Sequence, residues 1–356
     1  MKGPAAWVRE EIRALHAYHV PASSGMVKLD AMENPYRLPS AMAEELGRLL
    51  AGVAINRYPE PAAAGLEAEL RRSMGIEAGL GVVLGNGSDE ILQVIATALA
   101  RPGATVLALE PSFVMYRMCA VMAGMGYVGV PLTPDFVPDV PAVLAAIAAH
   151  RPAITWIAYP NNPTGNLFPR EAILAIVEAS PGLVVVDEAY YPFAGGASFL
   201  PEVGRHPNLV LVRTVSKLGL AGLRVGLAAG PRDWIAEFDK VRLPYNVNVL
   251  SAAAARFVLS RREALEEQTR AIVRDRGVLE AGLDAIAGVR RFPSEANFVL
   301  ARVPDAPRAF EGLRGRGILV NNLHGTHRLL EHCLRFTVGT PDENRRLLEA
   351  LPPAIG

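Results

Sequence analysis

The sequence has few of the features expected of an extracellular or membrane-bound protein. It contains only two cysteines, Cys119 and Cys333, and their spacing is not that of metal ligands. We therefore expect two buried thiols in a reducing compartment rather than a disulfide. No apolar run reaches the about 18 residues that a membrane span requires, and charges interrupt the N-terminus where a signal peptide would be apolar. These absences favour an unprocessed cytoplasmic protein.

An excess of charge of one sign is also missing. Lys plus Arg and Asp plus Glu both number 36, so no basic field would attract nucleic acid or an anionic membrane. Hydrophobic residues make up 51% of the chain and charged residues 20%, which is typical of a globular protein. At 356 residues the chain exceeds the size at which a single core usually stops growing. We therefore expect two domains.

Short apolar runs alternate with amphipathic helical patterns between about residues 80 and 230. This alternation is typical of βαβ units, and several runs lack polar residues, as strands buried on both faces of a parallel sheet do. The predicted strands are 81–84, 105–109, 127–131, 154–158, 183–186 and 209–212. The predicted fold class is α/β, with a mostly parallel sheet between helices.

The pattern changes near residue 250. It is helical and mostly unbroken to about residue 286, and then predicts a strand at 297–303, a helix near 308–316 and a strand at 333–338. We predict a large domain at 33–246 and a smaller α+β domain at 247–356, to which an N-terminal arm at 1–32 contributes. The proline and asparagines of segment 243–248 indicate the hinge.

Polar groups follow the predicted strands at the edge where open α/β sheets bind ligands. The sequence GNGSD at 85–89 opens a helix, so its N–H groups suit a phosphate, with Ser88 as the helix N-cap. The turn YPNNPTG at 159–165 is rigid enough to direct a side-chain amide into a site. An ordinary capped turn and an ordinary loop are the structural alternatives.

Two further groups are ionisable. Asp187 ends an apolar run and needs a partner, for which a cationic ligand nitrogen and a structural ion pair are the alternatives. Lys217 lies among small and apolar residues, which would lower its pKa and make the neutral amine available for Schiff-base chemistry. A surface lysine is the alternative for Lys217. Ser216 and Arg224, near it in sequence, are both suited to phosphate.

Taken in order, the Asn-Pro-x-Gly turn, Asp187 with Tyr190, and Lys217 with Arg224 resemble the aminotransferases of fold type I, which depend on pyridoxal 5'-phosphate (PLP). The resemblance covers nearly the whole chain and extends to the histidinol-phosphate aminotransferase branch. The segments typical of that branch are 28–36, 56–59, 85–90 and 241–248. It implies a large domain with a seven-stranded sheet and a smaller α+β domain.

The resemblance implies roles for the residues around the cofactor ring. Lys217 would hold PLP as a Schiff base and move a proton between substrate and cofactor. Asp187 would pair with the pyridinium nitrogen and keep it protonated. Tyr190 and Asn162 would hydrogen-bond the phenolic oxygen, and Tyr116 would stack on the ring. A core aromatic is the alternative for Tyr116.

The resemblance also implies how phosphate and substrate are bound. The groups that would bind the cofactor's phosphate are Gly87, Ser88, Asp89, Ser216 and Arg224. In this family a tyrosine matching Tyr58 reaches that phosphate from the neighbouring subunit, which implies a homodimer with shared active sites. Arg335 would bind the substrate's anionic group, with Tyr18 and Asn34 near it.

Three positions depart from the family's pattern. Arg224 follows Lys217 after one residue fewer than in many relatives, and Met32 stands where asparagine is more frequent. Asn321 stands where this branch often has a second substrate-binding arginine. The nearby cations that would compensate are His324, His327 and Arg328. No trio of carboxylates accompanies the histidines at 324, 327 and 332, so we predict no metal site.

The implied reaction transfers the amino group of glutamate to imidazole-acetol phosphate, giving 2-oxoglutarate and histidinol phosphate, in histidine biosynthesis. An aromatic or broad-specificity aminotransferase is the nearest alternative. A PLP-dependent decarboxylase of a substrate such as threonine phosphate, and a non-catalytic PLP-binding protein, are the alternatives of other classes. The non-catalytic alternative is hard to reconcile with intact Lys217, Asp187 and Tyr190.

Overall fold

The structure, a computed structural model, describes residues 3–17, 21–60 and 63–356. The strands are β1 (Val27–Leu29), β2 (Gly81–Asn86), β3 (Thr105–Glu110), β4 (Gly126–Pro131), β5 (Ile154–Ala158), β6 (Leu183–Asp187), β7 (Leu209–Thr214), β8 (Val225–Gly230), β9 (Arg290–Arg291), β10 (Phe298–Arg302), β11 (Ile318–Asn322) and β12 (Cys333–Thr337). The α-helices are α1 (Glu10–Arg13), α2 (Ser40–Ala51), α3 (Ala64–Met74), α4 (Ser88–Leu99), α5 (Val114–Met122), α6 (Val140–His150), α7 (Arg170–Ala179), α8 (Arg232–Val241), α9 (Val249–Leu259), α10 (Glu263–Asp284), α11 (Ala306–Arg314) and α12 (Pro341–Ile355).

The larger sheet has seven strands in the order β2-β8-β7-β6-β5-β3-β4. Only β8 runs antiparallel to its neighbours, β2 and β7, and the remaining pairs are parallel. This arrangement confirms the predicted α/β class and its mostly parallel sheet. Each of the six strands predicted from the sequence is present. The strand β8, VGLAAG, was not predicted because alanine and glycine have low β-propensity.

Helices cover both faces of this sheet. Along β6, Val184 and Val186 pack into one apolar cluster while Leu183 and Val185 pack into another on the opposite face. Strands with two buried faces gain nothing from polar alternation, which explains the unbroken apolar runs of the sequence. The carboxyl ends of the central strands are therefore the places where polar side chains emerge from the core.

The smaller sheet has five strands in the order β1-β11-β12-β10-β9. Its first strand comes from the N-terminal segment, where Val27 to Leu29 pair in parallel with Ile318 to Val320. The other neighbouring pairs are antiparallel. This pairing brings the residues that directly follow β1 next to the end of β11, close to the larger sheet's ligand-binding edge.

The helical region after residue 249 differs from the prediction. The expected continuous helix is divided into α9 and α10 by a turn at residues 260–262. The side chain of Ser260 donates to the carbonyl of Phe257, which favours the end of α9 over its continuation. Helix α9 packs on α2 and α3, whereas α10 packs on α12. The predicted domain boundary at 246/247 stays a prediction.

Two other observations concern the chain's environment. Cys119 and Cys333 are both buried free thiols, and burial raises the pKa of Cys119 to about 12, so neither is an exposed reactive thiolate. Within residues 3–17, 21–60 and 63–356, no helix combines the length and apolar character needed to cross a membrane.

Candidate active site

A cavity of about 750 Å³ lies where strands β5, β6 and β7 end. Ala158, Asp187 and Thr214 mark the three strand ends on its wall. The predicted site residues that line it are Ser88, Asp89, Tyr116, Asn162, Asp187, Tyr190, Ser216, Lys217, Arg224 and Arg335. Residues separated by up to 247 positions in the sequence are thus brought together at one cavity, from Ser88 to Arg335.

Asp187 is a buried carboxylate, only 5% exposed, at the base of this cavity. Its Oδ1 accepts a hydrogen bond from the backbone of Ala189 at 3.1 Å, and its Oδ2 accepts one from the hydroxyl of Tyr116 at 3.0 Å. Among the residues that the structure describes, none forms an ion pair with Asp187. Burial therefore raises its pKa to about 6. A buried carboxylate without a cation suits a positively charged ligand nitrogen.

Lys217 faces the same cavity from the short 3-10 helix Ser216–Leu218. Its Nζ donates to the carbonyl of Ala31 at 3.3 Å and lies 5.6 Å from the centre of the Tyr190 ring. Burial, assisted by the nearby Arg335 guanidinium, lowers the pKa of Lys217 to about 8. The amine thus loses its proton far more readily than an exposed lysine and is available as a nucleophile and base.

Tyr190, Asn162 and Arg335 form a connected group on the cavity wall. The Asn162 amide donates to the Tyr190 hydroxyl at 3.3 Å, and Arg335 donates to the Asn162 side-chain oxygen at 2.5 Å. Arg335 is 5% exposed and also donates to the carbonyl of Asp30 at 3.0 Å. These bonds hold the guanidinium in one orientation, so it is prepared to bind an anionic group.

A phosphate-sized cradle lies between α4 and Arg224. Gly87 has a φ of +84°, and a Cβ there would lie 2.4 Å from Nη2 of Arg224, so only glycine fits. The expectation that Ser88 caps the helix was wrong. Gly87 is the N-cap and Ser88 the first helical residue, because a conformation open only to glycine precedes it. No side chain caps this helix end, which leaves its N–H groups available to an anion.

Arg224 reaches the cradle despite the short spacing from Lys217. Two 3-10 turns, Ser216–Leu218 and Ala221–Leu223, fill the interval, and Arg224 itself adopts a left-handed φ of +54°. Its Nη2 lies 3.2 Å from Oδ2 of Asp89. Ser216 lies on the same wall, where its hydroxyl is 2.8 Å from that of Thr214. The tighter loop is therefore compatible with a contact between Arg224 and a bound phosphate.

Two of the predicted side chains do not line the cavity, and a third predicted residue lies outside the described residues. The Asn34 amide donates to the carbonyl of Leu218 and to Gln268, so it supports the turn that carries Lys217 rather than lining the cavity. Tyr58 is 82% exposed and stacks on Tyr245 with ring centres 4.8 Å apart. Tyr18 lies outside the described residues. The roles assigned to these three stay predictions.

Sequence reasoning missed a buried ion pair behind the site. Arg213 donates to Oε2 of Glu188 from Nε at 3.0 Å and from Nη2 at 2.8 Å, and both side chains are at most 3% exposed. Arg213 lies near the end of β7, which precedes Lys217, and Glu188 directly follows β6, which ends at Asp187. The ion pair therefore connects the ends of these two strands. The sequence signal for this ion pair is a charged residue beside each strand end. Glu188 directly follows Asp187, and Arg213 directly precedes Thr214.

The register of the smaller sheet determines where Asn321 lies. Asn321 is the register partner of Arg335, and both Asn321 and Asn322 line the cavity. The described residues on the cavity wall do not include His324, His327 or Arg328. His324 instead packs against His332, with ring centres 4.7 Å apart. The cations expected to compensate for Asn321 are thus directed elsewhere, and neutral amides occupy this wall.

Comparison with known proteins is consistent with this geometry. Residues 24–351 match the family model described as aminotransferase class I and II. The chain is 55% identical to histidinol-phosphate aminotransferase of Chromobacterium violaceum over 97% of its length and 96% of that protein. It is 52% identical to histidinol-phosphate aminotransferase 2 of Cupriavidus pinatubonensis over 98% of its length and 96% of that protein.

The solved structures give the same result. The crystal structure of histidinol-phosphate aminotransferase from Sinorhizobium meliloti in complex with pyridoxal-5'-phosphate superimposes with a TM-score of 0.87, at 25% identity over 98% of both chains. The chain belongs to the class I and II aminotransferase family. Within that family its relatives at about half identity are histidinol-phosphate aminotransferases, which confirms the branch indicated by the sequence.

Proposed function

We propose that this protein is a PLP-dependent aminotransferase that transfers the amino group of glutamate to imidazole-acetol phosphate, forming histidinol phosphate in histidine biosynthesis. The observation that carries the proposal is the pair formed by Asp187 and Lys217. A buried carboxylate without an ion-pair partner among the described residues faces the same cavity as a lysine of lowered pKa. The names of the relatives support the substrate.

The residues on the cavity wall fit PLP. Asp187 would pair with the ring nitrogen, Tyr116 would lie against the ring, and Tyr190 and Asn162 would contact the phenolic oxygen. The residues that would bind the phosphate are Gly87, Ser88, Asp89, Ser216 and Arg224. The helix end after Gly87 supports this assignment, since no side chain caps it and its N–H groups are open to an anion. When bound, PLP supplies an electron sink for the carbanion formed at the amino-bearing carbon.

Lys217 would act as the proton carrier. Its Nζ would accept the proton from the amino-bearing carbon of the substrate and then deliver this proton to the cofactor. A pKa of about 8 matches this task, because the amine gains and loses a proton near physiological pH. Asp187, held by Tyr116 and the Ala189 backbone, would keep the ring nitrogen positively charged during the transfer.

Arg335 would bind an anionic group of either substrate, the phosphate of histidinol phosphate or a carboxylate of glutamate. Its bonds to Asn162 and the Asp30 carbonyl orient the guanidinium before the substrate arrives, which reduces the entropy lost on binding. Tyr18 and Asn34 are proposed to lie near the same group. The neutral Asn321 and Asn322 would contribute hydrogen bonds without adding charge.

We further propose a cytoplasmic homodimer, with chain division at 1–32, 33–246 and 247–356. Tyr58 would reach the cofactor's phosphate in the neighbouring active site. Exposed large apolar residues in the segments that contain Tyr58 and its stacking partner Tyr245 support a self-interface, because monomers seldom expose such surface without a partner. These residues are Ile55 at 74% exposure, Tyr58 at 82%, Leu243 at 69%, Tyr245 at 40% and Leu250 at 41%.

Product analysis tests the function. Purified protein supplied with PLP, glutamate and imidazole-acetol phosphate should form 2-oxoglutarate and histidinol phosphate in equal amounts. Comparable turnover of aromatic amino acids would favour a broad-specificity aminotransferase. Release of carbon dioxide from threonine phosphate, without use of glutamate, would instead identify a decarboxylase and contradict the proposal.

A further inference from the structure

The segment at residues 30–33, which follows β1, is bound to the active site through its backbone. The carbonyl of Asp30 accepts from Arg335 at 3.0 Å, and the carbonyl of Ala31 accepts from Lys217 at 3.3 Å. The two cationic residues with central roles in the proposed chemistry therefore contact consecutive peptide groups of this segment. Glu33, two residues later, lines the same cavity.

The position of Glu33 is further determined by Met32. Met32 has a left-handed φ of +53°, which is uncommon for a residue other than glycine. This conformation is held from both sides, because its N–H donates to Thr337 Oγ1 at 3.0 Å and its carbonyl accepts from Asn297 at 2.9 Å. Strained backbone that is held in this way is frequently found at functional sites. Here it directs the chain so that Glu33 follows at the cavity wall.

Four carboxylates line the cavity, and they differ in exposure and in the role assigned to them. Asp89 pairs with Arg224, and Asp187 faces the ring nitrogen of the proposed cofactor. Asp30 is 9% exposed and lies 3.2 Å from Lys28. Glu33 is the most accessible, with a side chain that is 47% exposed. Among the described residues only Lys28 bonds to it, through Oε2 at 2.5 Å, so Oε1 faces no donor of the described chain.

The substrates differ in what they offer to a carboxylate. Histidinol phosphate carries an imidazole with an N–H donor, in addition to its phosphate. Glutamate carries a second carboxylate instead, which a glutamate side chain repels. Arg224 and Arg335 are suited to the anionic groups of cofactor and substrate, but neither can accept a hydrogen bond from imidazole. The imidazole therefore needs an acceptor, and of Glu33, Asn321 and Asn322 on this wall Glu33 is the one with a negative charge.

We propose that Glu33 is a specificity-determining residue that accepts a hydrogen bond from the imidazole N–H of histidinol phosphate. Lys28 holds Oε2 of the carboxylate, so Oε1 is the oxygen proposed to accept from the imidazole. Asn321 and Asn322, on the neighbouring strand β11, complete a polar but uncharged wall around the imidazole. The inference rests on the proposed function, since it assigns one part of the proposed substrate to one side chain.

The test compares Glu33→Gln with wild-type protein in each half-reaction separately. The absorption of bound PLP monitors the progress of each half-reaction. The variant keeps the shape of the side chain but loses its charge. We expect kcat/KM for histidinol phosphate to fall about tenfold, as the loss of a charge-assisted hydrogen bond implies. For glutamate we expect an unchanged or higher value. Glu45→Gln is the matched control, because Glu45 is 49% exposed and ion-paired with Arg261 away from the cavity.

Two further readouts separate a specific contact from a general effect. The ratio of wild-type to variant kcat/KM for histidinol phosphate should be larger at about pH 6 than at about pH 8, because imidazolium binds a carboxylate more strongly than imidazole does. In a Lys217→Ala background, which cannot turn over, calorimetry should show about tenfold weaker binding of histidinol phosphate after Glu33→Gln.

The outcomes distinguish this inference from the proposed function. If wild-type protein reacts with both substrates and Glu33→Gln lowers both half-reactions equally, the imidazole contact is wrong while the function stands. A selective loss with glutamate would also overturn it, since that result would assign Lys28 to the substrate's carboxylate. Wild-type protein that reacts with glutamate but not with histidinol phosphate would overturn the function and the inference together.

Discussion

The hydroxyl of Tyr116 donates a hydrogen bond to Oδ2 of Asp187 at 3.0 Å, and both side chains are buried. Tyr116 therefore contributes more than an aromatic face to the cavity. Its ring is held in place by Trp156, which stacks on it with centres 5.4 Å apart. The hydrogen bond lowers the pKa of Asp187 relative to what burial alone would produce, so it favours the charged carboxylate that a cationic ring nitrogen needs.

Tyr116→Phe should accordingly weaken PLP binding while leaving the fold intact. The ring remains, but Asp187 loses one of its two hydrogen bonds, at a cost of about 1 kcal/mol, or several-fold in affinity. Titration of cofactor-free protein with PLP measures the dissociation constant. Tyr127→Phe, which removes a hydroxyl beside Glu110 rather than Asp187, serves as the control. Equal affinities of Tyr116→Phe and wild type would show that this hydroxyl does not support the carboxylate.

Asp187 should make the cofactor-free protein less stable at neutral pH. Burial raises its pKa from 3.8 to about 6, so the folded chain binds this proton more tightly than the unfolded chain does. The resulting stabilisation is fully present below about pH 4 and is lost as the pH rises through about 6, a change of up to about 3 kcal/mol. Asp187→Asn without cofactor should therefore be more stable than wild type at about pH 8 and similar at about pH 4.

Urea unfolding of the two cofactor-free proteins at both pH values measures this difference. Asp135→Asn is the control, because Asp135 is 80% exposed and ion-paired with Arg290 away from this cavity. With PLP present the order should reverse, since Asp187→Asn loses the charge that binds the ring nitrogen. A variant less stable than wild type at both pH values would mean that the carboxylate is already compensated without a cofactor.

Lys217→Ala should abolish transamination. The loss of the proton carrier alone predicts a decrease in kcat of about a hundredfold to ten-thousandfold, and the loss of the amine that holds PLP adds to it. Lys217→Arg is the informative comparison, because guanidinium keeps the positive charge but cannot become a neutral amine. Steady-state rates with glutamate measure both variants. Substantial activity in Lys217→Arg would exclude Lys217 as the base.

Arg335→Met should raise KM for glutamate and for histidinol phosphate by about tenfold or more, because a buried charge-assisted contact to the anionic group is lost. The absorption of bound PLP should change less than KM, since the Arg335 guanidinium donates to Asn162 and to the carbonyl of Asp30. Arg328→Met, at a cation that does not line the cavity, should behave like wild type. A loss confined to one substrate would show that the two anionic groups bind at different places.

Mixing two inactive variants tests whether active sites are shared. If Tyr58 acts on the neighbouring subunit, a heterodimer of Tyr58→Ala and Lys217→Ala has one site with both defects and one intact site. Unfolding and refolding an equal mixture should then restore about a quarter of the wild-type activity, because half of the dimers are mixed and each has one intact site. The absence of recovery would place Tyr58 in the site of its own chain or outside any site.

The strand ends were predictable because their polar residues interrupt strongly apolar runs. Asp187 ends one strand and Lys217 follows another, and both strands have side chains buried on both faces, so a charged residue there has to face the sheet's edge. The order of the motifs along the chain then indicated the family before any distance was known.

Other features depended on contacts that no local pattern encodes. Residues 30–33 join the cavity through backbone carbonyls, which leave no trace in side-chain chemistry. The strand β8 is rich in alanine and glycine, which have weak β-propensity. It pairs with β2 on one side and with β7 on the other, and these are contacts between distant parts of the sequence. Ser88 carried the signature of an N-cap, but the glycine conformation at Gly87 moved the helix start by one residue.

The most direct test of the account is the visible absorption of the PLP-loaded protein after addition of histidinol phosphate alone. We expect the band of the bound cofactor to be lost as the amino group is transferred, and subsequent addition of 2-oxoglutarate to restore it. A band that disappears with glutamate but is unaffected by histidinol phosphate would contradict the proposed substrate. Protein that acquires no such band when PLP is supplied would contradict the assignment of Lys217 and Asp187 altogether.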